Sequence, residues 1–346
     1  VIFAQYSIDP KVRFQWPTIE PFLFCVHHLD HYPKMHINFG PHHDLLKNRN
    51  LGEDFETKDG FRMYHGKTVP GFPAHPHRGF ETITIVRQGY VDHADSMQAS
   101  GRYGPGDVQW MTAGAGVQHS EMFPLLKRDQ ANPVELFQIW LNLPRQSKFA
   151  QPHFKMFWSE ALPKWKSEDG KARVEVICGD VYGVASLRPP PDSWAAKREN
   201  DVQILLIEID PNGSFILPKG KNASKRLLYF YGGDMLVIRS EVQAEIRLPA
   251  NTALDLDVST KVELFVPSFA LETAKILLLQ AQPIGEPVVQ YGPFVMNSKE
   301  EIFSTIQDYQ QTHFGGWSWS SPDPVHGELI ERFAKFPDGR IEKPRK

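Results

Sequence analysis

Two short stretches of this chain combine residue types that bind metals. In His75-Pro76-His77-Arg78-Gly79-Phe80-Glu81, two imidazoles stand two residues apart. Extended backbone sends residues i and i+2 to the same face, so His75 and His77 can present ring nitrogens to one point. Pro76 cannot donate to a strand ladder, which predicts an edge strand or a strand start. Glu81 is an even number of residues from His77 and is a candidate for the same face. In Gly114-Ala115-Gly116-Val117-Gln118-His119-Ser120-Glu121 the spacing recurs with His119 and Glu121, after a glycine-rich turn. Three neutral imidazoles and one carboxylate from two strands form an N/O donor set. It suits one divalent ion, Fe(II), Mn, Ni, Cu or Zn, with positions left for water or substrate.

The distribution of histidine localises this chemistry. Twelve of the 14 histidines lie at or before His153, and none occurs from 154 to 312. The second half is therefore expected to be metal-free. A lone HxH pair is usually a surface or packing feature, but a second alternating His/Glu pair behind a Gly-rich turn asks for more. Other histidines have plainer readings. His42 and His43, beside Lys47 and Arg49, read as a solvated loop, and His93, between Asp92 and Asp95, reads as a turn residue. His27, His28 and His31 are weaker candidates for lining a pocket.

Strands must hold these residues. Gly 25 and Pro 28 fall at short intervals, with brief β-rich runs between them. These runs are TITIVR (82–87), VQILLIEI (202–209), MLVI (235–238), VELFV (262–266) and KILLL (275–279). The pattern predicts an all-β chain of antiparallel sandwiches, jelly rolls or barrels. One helix is expected near the end. Ser298 and Glu301 make a capping box, Ile302, Phe303, Ile306 and Tyr309 share a face, and Gly315-Gly316 stops it. The Pro-rich, charged stretch from Trp317 reads as an irregular surface tail. A linker is expected at 155–172 and a further break at 188–192. Domains then fall at 1–160, which binds the metal, and 161–290, which is metal-free, with helix and tail at 291–346.

Composition bounds the function. The 346 residues suit two domains at about 100–200 residues each. Lys+Arg 38 against Asp+Glu 41 leaves no basic field, which argues against direct nucleic-acid binding. Phe 23, Tyr 10 and Trp 8 argue against disorder. Apolar runs are too short for a membrane helix, and the opening VIFAQ lacks the charged start and apolar stretch of a secretory signal. Cys25 and Cys178 allow at most one disulfide, so the expected address is the cytoplasm.

On these residues the chain resembles the pirin family of the cupin superfamily. FPAHPHRGFETITI (72–85) and YGPGDVQWMTAGAGVQHSEMF (103–123) are similar to the family's first two signatures. LFQIWLNLP (136–144) is similar to the strand that follows, and GEPVVQYGPFVMNSKEEI (285–302) to the C-terminal signature. The GGWSW…DPVHGELIERFAKFPDGR tail resembles bacterial-type members. The resemblance implies a bicupin, two tandem jelly-roll β-barrels facing each other, with a short C-terminal helix and irregular tail. It implies one divalent metal per chain, Fe(II) foremost, in the N-terminal barrel on His75, His77, His119 and Glu121. Many other cupins take their carboxylate from the place held here by Glu81, which the pirin pattern leaves to orient a ligand or substrate.

The implied activity is quercetin 2,3-dioxygenase-type cleavage of a flavonol, or a related phenol or enediol, by dioxygen. Glu121 or Glu81 would accept the substrate proton, and Phe72, Phe80, Trp110 and Phe123 are candidates for an apolar pocket or for barrel core, Trp110 reading first as core. The family's alternative is an iron-dependent, redox-sensing regulator that binds a transcription factor or enzyme. The chain departs from the pattern at Ala115, where the family often has arginine, and at Gln118, where it has a small aliphatic residue. The segment before His75, with HINFG and HHDLLKNRN across 31–70, is longer than expected and is a candidate site cover or subunit contact.

Overall fold

The computed structural model describes residues 2–10 and 13–345; Val1 of the opening stretch and Lys346 of the tail lie outside them. The first ten strands are β1 (Ile2–Ser7), β2 (Phe22–Tyr32), β3 (Gly71–His77), β4 (Phe80–Gln88), β5 (Val91–Asp95), β6 (Ser100–Tyr103), β7 (Val108–Thr112), β8 (Val117–Met122), β9 (Asn132–Asn142) and β10 (His153–Phe157). There follow β11 (Lys164–Lys166), β12 (Ala172–Cys178), β13 (Asp180–Val181), β14 (Val184–Ala185), β15 (Gln203–Ile209), β16 (Ser214–Leu217), β17 (Lys225–Gly232) and β18 (Leu236–Ser240). The last are β19 (Ile246–Leu248), β20 (Thr252–Leu256), β21 (Val262–Phe265), β22 (Ala274–Ala281), β23 (Val289–Tyr291), β24 (Phe294–Met296), helix α1 (Lys299–Thr312), β25 (Phe333–Lys335) and β26 (Ile341–Glu342). The five β-rich runs read from the sequence lie in β4, β15, β18, β21 and β22, overrunning them by at most one residue.

The chain packs as two units. The histidine unit comprises His27–Gln138, Arg145–Glu160 and Glu286–Lys346; the aliphatic unit comprises Val1–Val26, Ile139–Pro144 and Ala161–Gly285. The expected boundaries near 160 and 290 lie close to two of these breaks, but both chain ends are placed differently. β1 pairs with β20, with Tyr6 opposite Ala253, so the first residues belong to the later barrel. The tail belongs to the earlier one. The expected linker at 155–172 also carries β11, with Trp165 opposite Val174 of β12. Open sheet edges are satisfied by distant strands, and no local pattern specifies which strand that will be.

The histidine unit is built on a five-stranded sheet, β10-β7-β4-β9-β2, and a six-stranded sheet, β26-β25-β6-β5-β8-β3. Its core includes Val86, Val91, Tyr103, Met111, Phe123 and Leu136. The tail is not irregular throughout, because β25 extends the second sheet with Phe333 opposite Arg102. Arg102 and Asp92 are both fully buried and pair through two hydrogen bonds of 2.6 and 2.7 Å. Arg102 also donates to the Gly327 carbonyl at 2.9 Å, and the His326 amide donates to Asp92 at 2.8 Å. This buried pair therefore holds the tail by charge-assisted bonds.

The capping box at Ser298 and Glu301 forms as expected. The helix ends at Thr312, with His313 in the left-handed region at φ 48°, before the glycines expected to stop it. Ile302, Ile306 and Tyr309 pack with Phe294 and Met296, whereas Phe303 is 62% exposed. One residue is about 100° of helical turn, which moves Phe303 off the apolar face.

The aliphatic unit has a seven-stranded sheet, β1-β20-β17-β22-β15-β12-β11, and a four-stranded sheet, β16-β21-β18-β19. Leu205, Ile207, Leu228, Leu254, Ile276 and Leu278 belong to its core. In β15 and β22 the alternate residues Ile204, Leu206, Leu277 and Leu279 are buried too, which is why these strands read as continuous apolar runs. Each such side chain contributes about 1.5–3 kcal/mol on burial. Cys25 and Cys178 are both buried, and the Cys178 thiol donates to the Val202 carbonyl at 3.5 Å. No helix among the described residues is long and apolar enough to cross a membrane.

Candidate metal centre

Register places the site. β3 and β8 are antiparallel with His75 opposite His119 and Phe72 opposite Glu121. β5 and β8 are antiparallel with Asp95 opposite His119 and His93 opposite Glu121. Directly opposed residues share a face. Three strands thus lay down two rows, Asp95–His119–His75 and His93–Glu121–Phe72. A bulge in β3 between Phe72 and His75 re-aims its end, and His77 follows on the same face. At Gly71, with φ 130°, a Cβ would meet the Glu121 carbonyl oxygen at 2.5 Å, so the close approach of β3 to β8 requires glycine.

One ring nitrogen from each of His75, His77 and His119 lies within 4.8 Å of the others. Their ring centroids are 4.5–4.9 Å apart. Glu121 stands beside this triad. Its Oε2 is 3.9 Å from His119 Nε2. Thr84 Oγ1 and the Tyr103 hydroxyl donate to Oε1 at 2.9 and 3.4 Å, and Gln138 Nε2 donates to Oε2 at 3.2 Å.

Burial sets the protonation. It pushes His75 down to about 4 and holds His77 and His119 well below the ordinary imidazole value. All three are therefore neutral near pH 7, the form that ligates. Burial raises Glu121 above the usual carboxylate range, against its three hydrogen-bond donors. His119 is fully buried, and neither ring nitrogen has a hydrogen-bond partner. An orphaned buried imidazole is costly unless it has a ligand. Three clustered neutral nitrogens beside a carboxylate therefore fit one divalent ion, whose bonds to such donors run about 2.0–2.3 Å.

The Pirin family model matches residues 40–141, and that of the Pirin C-terminal cupin domain matches residues 204–315. The chain belongs to the pirin family. It is 35% identical over 249 residues to a Pseudomonas aeruginosa protein named "Putative quercetin 2,3-dioxygenase", covering 70% of this chain and 79% of that one. Human Pirin is 33% identical over 258 residues, covering 74% of this chain and 81% of that one. A crystal structure of quercetin 2,3-dioxygenase from Acinetobacter baumannii superposes with a TM-score of 0.66 and 24% identity, over 91% of this chain and 98% of that one. That likeness shows the two-domain cupin fold.

One of the two departures from the pirin pattern now has a structural account. Gln118 reaches the end of α1, donating to the His313 and Gly316 carbonyls at 2.8 and 3.1 Å and accepting from the Tyr309 hydroxyl at 3.1 Å. Ala115 offers its carbonyl to Arg78 Nε at 2.6 Å. Arg78 also pairs with Asp308 of α1 at 2.5 Å and lies over Phe314. Gln118 and Arg78 therefore dock α1 onto the strands that carry the histidines.

Other expectations change. Glu81 does not join the histidines. β3 ends at His77, and Gly79, with φ 86°, turns the chain before β4 begins, so even spacing does not carry across. Within β4, Thr84 faces Glu121 and Glu81 lies on the opposite face, where it accepts from Thr112 at 2.7 Å. Trp110 shares that opposite face, paired with Ile83, and packs near Phe157 rather than lining the site. Phe80 does reach it, 5.0 Å from His77 between ring centroids, and Phe72 lies 6.3 Å from His75. Phe123 lies behind Phe72, at 6.1 Å.

His93 is not a turn residue. It is fully buried on β5, 3.1 Å from Asp95, with its ring 5.6 Å from that of His119. The i, i+2 spacing of His93 and Asp95 was the available signal. Thr84, Tyr103 and Gln138 carried none, because only the packed sheets bring them to Glu121. His28 is buried, 2.8 Å from the Tyr64 hydroxyl and 5.9 Å between ring centroids from Phe72. His27 pairs with Glu135, and His31 is exposed. His42, His43 and Asp44 also cluster within 4.8 Å, but Asp44 and His43 are exposed and Lys47 already pairs with the carboxylate at 2.6 Å. That loop is solvated, as expected.

Proposed function

We propose that this pirin-family protein is a metal-dependent dioxygenase of the quercetin 2,3-dioxygenase type, acting on a flavonol or a related phenol or enediol. The observation that carries the reading is the convergence of three neutral imidazoles, His77 and His119 buried and His75 half-buried at the opening, beside a buried carboxylate. The names of its bacterial relatives support it. In this reading His75, His77 and His119 hold one Fe(II), and Glu121 supplies the anionic donor. When bound, the ion supplies Lewis acidity toward a substrate hydroxyl oxygen.

The chain's own residues do the rest. Glu121, pushed upward by burial, is a better proton acceptor for a substrate hydroxyl than an exposed carboxylate. Thr84, Tyr103 and Gln138 hold it in place. Asp95 holds His93 against the His119 ring. Phe80 excludes water beside His77. The test is metal analysis of protein purified without added metal, followed by oxygen uptake with a panel of flavonols and phenols. Uptake that tracks metal content is expected. No uptake by metal-replete protein across the panel would reject the enzyme and favour the iron-dependent regulator.

A further inference from the structure

We infer that residues 52–66 form a fixed aromatic wall at the mouth of this site, where Phe55 and Phe72 hold a flat aromatic ring and His65 accepts a hydrogen bond from its hydroxyl. The inference rests on the proposed function for its choice of ligand, but its geometry stands apart from the chemistry.

The opening can be located. Of the three clustered histidines, His77 and His119 are buried and only His75 is partly exposed. On the His75 side the rings form a chain. Phe72 is 6.3 Å from His75, His65 is 5.7 Å from Phe72, and Phe55 is 5.0 Å from His65 and 6.4 Å from Phe72. Phe55 is 36% exposed, His65 is exposed and Phe72 is half-buried. One exposed Phe on a surface needs no explanation. Here three partly or fully exposed rings run in series and meet an imidazole of the candidate centre through Phe72. Their spacing is that at which aromatic rings stack or meet edge to face.

The segment is held from behind by a buried polar network. The Asp54 and Tyr64 backbones exchange hydrogen bonds of 2.8 and 2.9 Å. The Asp54 carboxylate accepts from Arg49 and from the Met63 amide, each at 2.9 Å. The Arg49 guanidinium lies 3.9 Å over Phe61. Tyr64 donates to Asp30 at 2.5 Å, and Asp30 also binds Arg62. Tyr64 adopts φ 57°, a left-handed conformation that a bulky residue takes only when its surroundings over-determine it. That turn fixes the direction in which the next residue, His65, leaves the fold.

The hydrogen-bonding sense of His65 is also set. Its Nδ1 is 2.6 Å from the Gly52 carbonyl oxygen, which can only accept, so Nδ1 carries the hydrogen. In the neutral ring Nε2 then has a lone pair to accept from a hydroxyl. An apolar face with one hydrogen-bond acceptor beside it matches a hydroxylated planar ring better than an aliphatic or an anionic ligand.

The experiment is anaerobic binding of quercetin to the metal-loaded, full-length protein, followed by fluorescence quenching. Wild type is compared with Phe55→Ala and His65→Ala, and metal content is measured in each. Both variants should keep wild-type metal content and weaken binding, about tenfold for Phe55→Ala and about fivefold for His65→Ala. The His65→Ala deficit should vanish with a fully O-methylated flavonol, which cannot donate. Equal affinities in all three proteins, or no binding by wild type, would overturn the wall. Weakened binding in the variants without oxygen uptake by wild type would sustain the wall and reject the dioxygenase. Uptake with unchanged variant affinities would do the reverse.

Discussion

The two units share a two-sheet β architecture and differ in what they bury. Among the described residues 161–285 the buried side chains include no His, Asp or Glu, and the one buried cation, Arg226, is bonded to Gln280 and the Pro218 carbonyl. The histidine unit buries His28, Asp30, His77, Glu81, Asp92, His93, Asp95, His119 and Glu121. A jelly roll needs none of these to be stable, since Val, Leu and Ile fill the same space at a gain rather than a cost. Many of them are satisfied by neighbours, as Arg102 satisfies Asp92 and Tyr64 satisfies Asp30. His119 is not. The comparison teaches that the polar rows on β3, β5 and β8 are not what holds the fold together, while the aliphatic unit shows what the fold alone requires.

The sharpest way to break this contrast is to make the first interior resemble the second. His119→Leu should lower metal affinity on the order of 100-fold or more and abolish oxygen uptake. It should leave the metal-free protein as stable as wild type, or more so, because an unpartnered buried imidazole is exchanged for an apolar side chain. Metal analysis and melting in the presence of chelator would measure both. Normal metal content in this variant would place the ion elsewhere.

The converse change belongs to the other unit. Leu278→Ala should cost about 2–5 kcal/mol in denaturant unfolding, through lost burial and the cavity left behind. Metal bound per folded molecule should not change. A loss of metal affinity here would mean that the two interiors are coupled.

A third expectation concerns acid. His75 titrates near 4 in the folded chain and near 6.5 when unfolded, so between these values the unfolded chain binds the extra proton. Metal-free protein should therefore lose stability as pH falls from about 6.5 toward 4, with His77 and His119 acting in the same direction. Glu121, shifted upward, acts in the opposite sense at the acid end. The loss should concentrate in β3 and β8 and spare β15 and β22, as read by hydrogen-exchange protection corrected for intrinsic rates. Equal loss in both units would contradict it.

The smallest effect is expected from Glu81→Gln. Because Glu81 lies on the face of β4 turned away from Glu121, oxygen uptake per bound metal should match wild type. A clear fall in turnover at unchanged metal content would return Glu81 to the site.

The sequence alone determined the parts that depend on short distances along the chain. His75 with His77, and His119 with Glu121, were legible because strand geometry relates i to i+2 wherever the strand ends up. The absence of histidine from 154 to 312 separated the two units, and β-branched runs between turn formers indicated the fold class. The capping box at Ser298 is equally local. Tertiary structure decided what depends on register and on partners far apart in sequence. Whether Glu81 faced the site turned on one residue of phase across Gly79, and a slip of one residue reverses every side chain after it. His93 entered through the pairing of β5 with β8, and Glu121 acquired Thr84, Tyr103 and Gln138 from three other strands. The tail found its place on β6, and β1 found its place on β20, because a sheet edge accepts any strand of matching shape.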